Sequence, residues 1–387
     1  MDLTFTAAQK AFRDEAREWL HAHAPRSLPS GDTADGFAAC RVWERTLFDA
    51  GWAVVSWPKE YGGRGASLVD WLIFEEEYYR SEAPPRITQN GIFLLAPVLF
   101  EFGTEEQKRR ILRPMAAAET TWAQGWSEPN AGSDLASLRA EARRVDGGWR
   151  LTGQKIWCTR AAFCDGVYGL FRSDPDAERP HKGLTYFMVP LTAEGVTVRA
   201  VERLDGDEGF ADVFFEDVFV PDEDVIGEVN RGWYVAMATT SSERGLTLRS
   251  PGRFLATASR LIRLYRQQAS AGAVDPTLRA RVAQAWIEAQ AYRWRTFRTV
   301  TRMADGESIG AESSLDKLFW SEMDIRTHET ALDLLGPRAE LDDESRDPLA
   351  AMWLKGAQFA LAGPIYAGTN EIQRNVVAQR LLGLPRK

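Results

Sequence analysis

The chain has 387 residues, which is too long for one small hydrophobic core, so two or three domains are expected. Hydrophobic residues make up 44% and charged residues 26%, which is ordinary for a globular protein. The formal net charge is −8, which argues against broad binding to nucleic acid or to anionic membranes.

The cysteines and histidines do not form a recognisable metal or disulfide pattern. There are three cysteines, an odd number, with no C-x-x-C, and the four histidines include no H-E-x-x-H. No apolar run is long enough to span a membrane, and the polar, acidic N-terminus predicts no secretory signal. The sequence therefore predicts a cytoplasmic protein without a metal and without a membrane span.

Residues 1 to about 120 show helical periodicity. The first helix carries an apolar stripe at positions i, i+4, i+7 and i+8: Phe12, Ala16, Trp19 and Leu20. Ser67 is expected to cap a helix in which Glu75, Glu76 and Glu77 form a solvated face, and further helices are predicted over 88–102 and 104–118. The Gly-rich loop at 62–65 lacks the spacing and the lysine of a phosphate-binding loop.

The pattern changes to alternation and turn signals between Thr120 and about residue 226. Asp146-Gly147 between two alternating runs is a hairpin signature, and Phe210 to Val220 is aromatic and β-branched throughout. A small antiparallel barrel or sandwich fits this region.

Helical periodicity returns after Gly227 and continues to the end. Asn230 is a candidate cap for the first helix, and Ser250-Pro251-Gly252 must break or kink the run that follows. Long amphipathic segments cover about 276–303, 312–335 and 346–362, and Asn370 with Gln373 predicts a capping box for a last helix. The predicted fold is α+β, with an N-terminal helical domain over 1–119, a middle antiparallel β-barrel or sandwich over 120–227, and a C-terminal four-helix bundle over 228–387.

One stretch concentrates chemistry-bearing residues: Gly125-Trp126-Ser127-Glu128-Pro129-Asn130-Ala131-Gly132-Ser133-Asp134. Small residues allow backbone to approach a planar ligand closely, hydroxyl groups can hydrogen-bond to its edge, and Trp157 in the later Gly153–Thr159 run can cover a ring face. A plain turn between two strands of a barrel explains the spacing equally well.

Four distant stretches, in the same order along the chain, resemble the acyl-CoA dehydrogenase family. They are S-E-P-N-A-G-S-D followed by G-Q-K-I-W-C-T, the loop at 57–65, the strand at 214–221, and Gly368-Thr369-Asn370-Glu371-Ile372-Gln373-Arg374-Asn375. The resemblance implies the three-part fold, an FAD cofactor, an acyl-CoA substrate, an electron-transfer flavoprotein as electron acceptor, and a tetramer or dimer that is homo-oligomeric or hetero-oligomeric. It also implies flavin contacts from these positions: Trp126, Ser127, Gly132, Ser133, Trp157, Thr159, Gly368, Thr369 and Asn370.

The family's reaction needs a carboxylate to remove the alpha proton of the thioester. Most relatives place that glutamate directly before the Gly-Thr of the C-terminal motif, where this chain has Ala367. Relatives acting on branched or long chains carry it at a position matching Glu243, followed by an arginine as Glu243 is by Arg244 here. Glu243 is therefore the predicted base, against the alternative that it only pairs with an arginine on a helix face.

Other glutamates and one backbone group complete the catalytic hypothesis. Glu371 and Glu128 are weaker candidates for the base, because relatives carry the same residues beside a separate base. The backbone N–H of Ala367 is expected to donate to the thioester oxygen, where negative charge builds. The lost glutamate side chain predicts a branched, cyclic or bulky acyl group.

The segments that hold the adenine half of FAD in relatives are altered. The Arg-x-x-Phe-Gly segment reads Arg266-Gln267-Gln268-Ala269-Ser270-Ala271-Gly272, and Asp333 stands where a glutamine is usual, so that its charge would repel a phosphate. Two alternatives to a functional dehydrogenase therefore stay open: a non-catalytic or half-catalytic subunit of a mixed assembly, and a flavin monooxygenase on the same fold.

Overall fold

The computed structural model describes residues 4–245, 250–272, 274–307, 309–341 and 344–385, with residues 240–245 described as backbone only. The chain divides into two compact units. One contains Met1–Ala24, Ser67–Ala83 and Arg244–Lys387, and is called the helical unit below. The other contains Pro25–Ala66 and Pro84–Glu243, and is called the sheet unit.

The sheet unit contains helices and the whole described β-sheet. Its helices are α2 (Ala34–Asp49), α4 (Ala96–Phe102), α5 (Glu105–Ala116) and α6 (Gly232–Gly245, assigned to this unit up to Glu243). Its strands are β1 (Trp122–Gly125), β2 (Glu141–Val145), β3 (Gly148–Lys155), β4 (Gly166–Arg172), β5 (Leu184–Pro190), β6 (Val196–Val201), β7 (Phe210–Pro221) and β8 (Val225–Ile226).

These strands form one eight-stranded sheet in the order β6-β7-β3-β2-β4-β5-β8, with β1 paired to β4. Most pairings are antiparallel, as expected, but β1–β4 and β2–β4 are parallel. The β2–β3 hairpin closes through Asp146-Gly147, with Gly147 at φ +73°, which confirms the two-residue turn. One face buries a continuous apolar cluster that includes Leu151, Phe171 and Phe215.

The helical unit is built from the two ends of the chain. Its helices are α1 (Ala7–His23), α3 (Leu68–Arg80), α7 (Pro251–Ala271), α8 (Pro276–Ala304), α9 (Glu312–Leu335), α10 (Pro348–Ala360) and α11 (Asn370–Val376). Two buried clusters lie between α7, α8, α9 and α10, one of them an aromatic group of Phe254, Tyr292 and Trp320. Among the described residues no helix combines the length and apolar character needed to cross a membrane.

The glutamates on α3 correct one sequence expectation. Glu75, Glu76 and Glu77 are all buried rather than solvated. Arg17 of α1 makes a bidentate pair with Glu77, and Arg293 of α8 makes one with Glu76. Arg17 and Arg293 lie 60 and 217 residues away from these glutamates in sequence, so no local pattern could reveal the two pairs.

The predicted helix starts are partly confirmed. Ser67 caps α3 in a capping box with Asp70, and α7 begins at Pro251, inside the stretch that was expected to break or kink the helical run. The cap of α11 is Thr369, whose hydroxyl accepts from the Ile372 N–H at 3.3 Å, so the predicted Asn370 cap was wrong by one residue. Asn230 is not a cap, because its side chain accepts a hydrogen bond from Ser173 and its backbone is left-handed.

Candidate active site

The turn after β1 is held by the carboxylate of Glu128. Glu128 and Ala131 exchange backbone hydrogen bonds of 3.0 and 3.1 Å, which closes the Glu-Pro-Asn-Ala turn. The carboxylate of Glu128 accepts from the backbone N–H groups of Arg139 and Ala140, at 2.7 and 2.9 Å, at the entrance to β2. The turn is therefore fixed to the sheet through a buried anion.

The counter-ion of Glu128 is Lys155, at the end of β3. Its side chain is fully buried and its Nζ donates to Glu128 at 2.8 Å. Burial raises the pKa of Glu128, but the charge and bond of Lys155 and the two backbone N–H groups outweigh it and lower that pKa below its ordinary value. A carboxylate held ionised by these three hydrogen bonds has a structural role, which weighs against Glu128 as the base.

The residues after Lys155 lie beside the same turn. The N–H of Ile156 donates to the Ser127 carbonyl at 2.8 Å, and Cys158 exchanges two backbone hydrogen bonds with Ala211 of β7. Between them, Trp157 is left-handed at φ +57°, and 59% of its surface is exposed. Its indole meets Phe210 edge to face, with 5.7 Å between ring centroids. A strained backbone thus presents a large aromatic face outward.

The hydroxyl groups predicted to contact the cofactor are available. Ser127 and Thr159 are half-buried and Ser133 is exposed. Within the described part of the chain, none of these three hydroxyls has a hydrogen-bond partner. Gly132 is exposed, with open space where a Cβ would lie. Trp126 differs, because its indole N–H donates to the Tyr186 hydroxyl at 3.2 Å. Only its backbone and ring surface remain for a ligand.

This surface fits a planar cofactor with polar edges. An exposed indole, free hydroxyls and open space beside glycine offer stacking and hydrogen bonding. Burial raises the pKa of the Cys158 thiol to about 12, so that thiol is not a nucleophile at neutral pH. In the described residues no cluster of histidine, cysteine, aspartate and glutamate could hold a metal ion.

The C-terminal motif lies in the helical unit. Ala367 and Gly368 are both left-handed, at φ +55° and +79°, and Thr369 then caps α11. The N–H of Ala367 has no acceptor within the described residues. The side chain of Asn370 is buried and accepts from Lys317 and Ser321 of α9, at 2.7 and 3.2 Å, so it anchors the motif to the protein.

The predicted base lies where side chains are not described. Glu243 falls in the last turn of α6 and Arg244 follows it, and both side chains lie outside the described part of the chain. Glu371 is largely exposed and forms an ion pair with Arg374 at 3.7 Å.

The altered adenine-side segments have defined structures of their own. Arg266 lies within α7, which continues as a regular helix through Ala269 and Ser270, the positions that match the Phe-Gly of the motif, and ends at Ala271. Asp333 of α9 forms an ion pair with Arg281 of α8. The aspartate charge is thus compensated within the chain.

Two residues at these sites were not singled out from sequence: Lys317 and Gln373. Both have fully buried side chains. A lysine inside an otherwise core-facing stretch of α9 was the available signal for the first, since a lysine is rarely fully buried unless it is paired. Gln373 was noted only as half of a capping box.

Comparison with known proteins identifies the class. Family models for the acyl-CoA dehydrogenase N-terminal, middle and C-terminal domains match residues 6–119, 123–218 and 230–382. The chain is 35% identical over 385 residues to the acyl-CoA dehydrogenase IpdE1 of Mycobacterium tuberculosis (strain ATCC 25618 / H37Rv), covering 97% of this chain and 98% of that protein.

Two solved structures share the fold over the full length of both chains. One is the Tcur3481-Tcur3483 steroid ACAD, 28% identical with a TM-score of 0.86. The other is the ChsE4-ChsE5 complex from Mycobacterium tuberculosis, 27% identical with a TM-score of 0.85. The chain belongs to the acyl-CoA dehydrogenase family and is an FAD-dependent oxidoreductase.

Proposed function

We propose that this protein oxidises an acyl-CoA thioester to the 2,3-enoyl-CoA. Glu243 removes the alpha proton, the beta carbon loses a hydride, and a carbon–carbon double bond forms between them. FAD, when bound, supplies the hydride acceptor at its N5. The observation that carries the proposal is the Ala367 N–H, which sits on a left-handed backbone and has no acceptor among the described residues. Such a donor suits the negative charge that builds on the thioester oxygen.

The base is assigned to Glu243, with Arg244 beside it. Ala367 has no titratable side chain, Glu128 is committed to Lys155, and Glu371 is an exposed partner of Arg374. Because these other candidates are unsuitable or already paired, the assignment of the base to Glu243 is supported. The sequence around Glu243 also matches the alternative glutamate position of the family. A buried, apolar setting would raise the pKa of a carboxyl and bring it nearer to the operating pH.

The cofactor contacts are assigned to the flavin-facing groups predicted from sequence. In the sheet unit they are Trp126, Ser127, Gly132, Ser133, Trp157 and Thr159, and in the C-terminal motif they are Gly368, Thr369 and Asn370. The free hydroxyls and the exposed Trp157 indole support the first set. For Asn370 the side chain is occupied by Lys317, so its contribution comes from the backbone at the start of α11.

The acyl group is assigned as branched, cyclic or bulky. Ala367 leaves the volume that a glutamate side chain would fill. The similarity to the Tcur3481-Tcur3483 steroid ACAD supports a ring-bearing substrate. An electron-transfer flavoprotein is the proposed electron acceptor, and a dimer or tetramer in the cytoplasm is the proposed state.

A mixed assembly is the second candidate. The Asp333–Arg281 pair and the uninterrupted α7 favour it, since neither offers the adenine-side contacts known in relatives. Two of the similar structures are named as pairs of different chains. In such an assembly this chain would contribute one half of each cofactor site and its partner the other.

One experiment separates the candidates. The purified protein, saturated with FAD, is mixed anaerobically with butyryl-CoA, octanoyl-CoA, isobutyryl-CoA, cyclohexanecarboxyl-CoA and 3-phenylpropanoyl-CoA, and flavin absorbance is followed. The proposal predicts bleaching, faster with the branched or ring-bearing thioesters than with the straight chains. A monooxygenase would bind FAD without bleaching, and a half-catalytic subunit would bleach only after a different partner chain is added.

A further inference from the structure

The left-handed backbone before α11 is held by one buried side chain. The Nε2 of Gln373 donates to the carbonyl of Ala367 at 3.0 Å and to the carbonyl of Gly368 at 3.3 Å. Gln373 is fully buried. Because both carbonyls belong to consecutive left-handed residues, their alignment depends on a donor placed between them.

The amide orientation of Gln373 follows from its partners. Turning the amide over would place its oxygen against two carbonyl oxygens, so the nitrogen must face them. Its Oε1 is buried and has no partner in the described ranges. The side chain therefore donates to both backbone carbonyls while its own oxygen stays buried without a donor among the described residues. A residue present only for packing would not carry this buried, unpaired oxygen.

The helix that carries Gln373 is itself fixed to α9. Asn370 accepts from Lys317 at 2.7 Å and from Ser321 at 3.2 Å, and donates to Glu322 at 3.3 Å. Lys317 is fully buried, so this anchor is shielded from water. Motion of the first turn of α11 would break these hydrogen bonds. Gln373 therefore binds the carbonyls of Ala367 and Gly368 from a helix that is fixed in place.

We infer that Gln373 is a positioning residue, which sets the backbone of Ala367 and Gly368 so that the Ala367 N–H is directed at the thioester oxygen of the substrate. This rests on the proposed function, which assigns that N–H as the oxyanion donor. Gln373 acts through the backbone and does not touch the substrate. Lys317 and Asn370 support it by fixing α11.

The test compares Gln373→Met with a matched control. The control is Gln107→Met, because Gln107 is also buried and its Nε2 also donates to two carbonyls, those of Glu223 and Val225, at 2.8 and 2.7 Å. Removing one oxyanion donor lowers kcat by about 10²–10³-fold. In Gln373→Met the donor is displaced rather than removed, so kcat with 3-phenylpropanoyl-CoA should fall about 10-fold or more. KM should stay within about 3-fold of the parent value. Gln107→Met should keep the parent kcat.

A spectroscopic readout reports the donor directly. The carbonyl stretch of cinnamoyl-CoA labelled with ¹³C at the thioester carbon is measured by isotope-edited infrared spectroscopy. The inference predicts that binding lowers this frequency in the parent and in Gln107→Met, and that the lowering is lost in Gln373→Met. Gln373→Glu keeps the shape of the side chain but has at most one donor, so an intermediate shift and an intermediate kcat are expected.

The outcomes separate this inference from the proposed function. If the parent lowers the frequency and Gln373→Met lowers it equally, with unchanged kcat, the positioning role is overturned and the function stands. If binding to the parent does not lower the frequency, the Ala367 N–H is not a donor to the thioester oxygen. The positioning role of Gln373 and the proposed function are then both overturned. If both Gln373 variants fail to fold while Gln107→Met folds, Gln373 serves folding and the positioning role is again overturned.

Discussion

The buried ammonium of Lys155 donates to the carboxylate of Glu128 at 2.8 Å and so joins the end of β3 to the turn after β1. Lys155 and Glu128 are 27 residues apart in sequence. The pair brings the two stretches that carry Ser127 and Trp157 side by side. The Ile156–Ser127 backbone hydrogen bond, at 2.8 Å, continues the same junction.

Breaking this pair from one side should destabilise the protein strongly. In Glu128→Gln the Lys155 charge would remain buried without its counter-ion, which typically costs about 3–5 kcal/mol. Urea unfolding at pH 7 measures the loss. Glu216→Gln, an exposed change on β7, is the control and should stay within about 0.5 kcal/mol of the parent. Equal stability of Glu128→Gln and the control would show that the pair contributes nothing.

The same variant has a defined pH dependence. The folded-state pKa of Glu128 is lowered from an ordinary value of 4.5, so its stabilisation is present above about pH 4.5 and is lost as the pH falls through the lowered value. Once Glu128 is protonated, it is as neutral as the glutamine of the variant, so the parent loses the same attraction to Lys155. The stability difference between parent and Glu128→Gln should therefore shrink on acidification, as measured by urea unfolding at a series of pH values. A difference that grows below pH 4.5 would contradict this sign.

Trp157 should contribute to FAD binding and little to folding. Its indole is 59% exposed, so Trp157→Ala removes a stacking surface without opening a core cavity. Aromatic stacking is worth about 0.5–1.5 kcal/mol, so FAD should bind about 2- to 10-fold more weakly. Flavin fluorescence titration of the apoprotein measures the affinity. Phe219→Ala, at an exposed aromatic on β7, should leave it unchanged, and an equal loss in both variants would refute a specific contact.

Asp333 should limit the retention of FAD if copies of this chain complete one another's cofactor sites. Asp333→Gln removes the negative charge that Arg281 now compensates and restores the residue usual in relatives. FAD retained after gel filtration should then rise, while Asp305→Asn, an exposed change after α8, should have no effect. Unchanged retention, together with tighter FAD binding on addition of a different partner chain, would favour the mixed assembly.

The sequence was sufficient for the fold because its long elements have strong local signals. The predicted segment at 312–335 has the same limits as α9, and Asp146-Gly147 closes the predicted hairpin. The parallel pairing of β1 with β4 was missed, since β1 has only four residues and parallel partners leave no local turn signature.

The site was predicted at the level of motifs and not of contacts. The helix cap depended on contacts between side chains that are distant in sequence. The Thr369 hydroxyl caps α11 in place of Asn370, because the side-chain oxygen of Asn370 accepts a hydrogen bond from the buried Lys317. The role of Gln373 depends on two left-handed residues, and left-handed backbone at an alanine has no sequence signal.

A companion variant tests whether the two glutamate positions of the family are equivalent. Ala367→Glu in a Glu243→Gln background places a carboxylate at the position most relatives use. Part of the flavin reduction should return, limited by how well the new side chain is oriented. Steady-state turnover with the best acyl-CoA of the panel measures the recovery. No recovery, in a double variant that still binds FAD, would show that this backbone cannot aim a base from position 367.

The most direct test of the central claim is the anaerobic rate of flavin reduction in Glu243→Gln, followed by stopped-flow absorbance with an acyl-CoA that the parent oxidises. The substitution preserves the shape of the side chain and removes its ability to accept the alpha proton. A positioned general base contributes about 10²–10⁴-fold, so the rate should fall by at least that factor while FAD content and acyl-CoA affinity stay near the parent values. Flavin reduction at the parent rate would contradict the account and leave Glu243 with a structural role only.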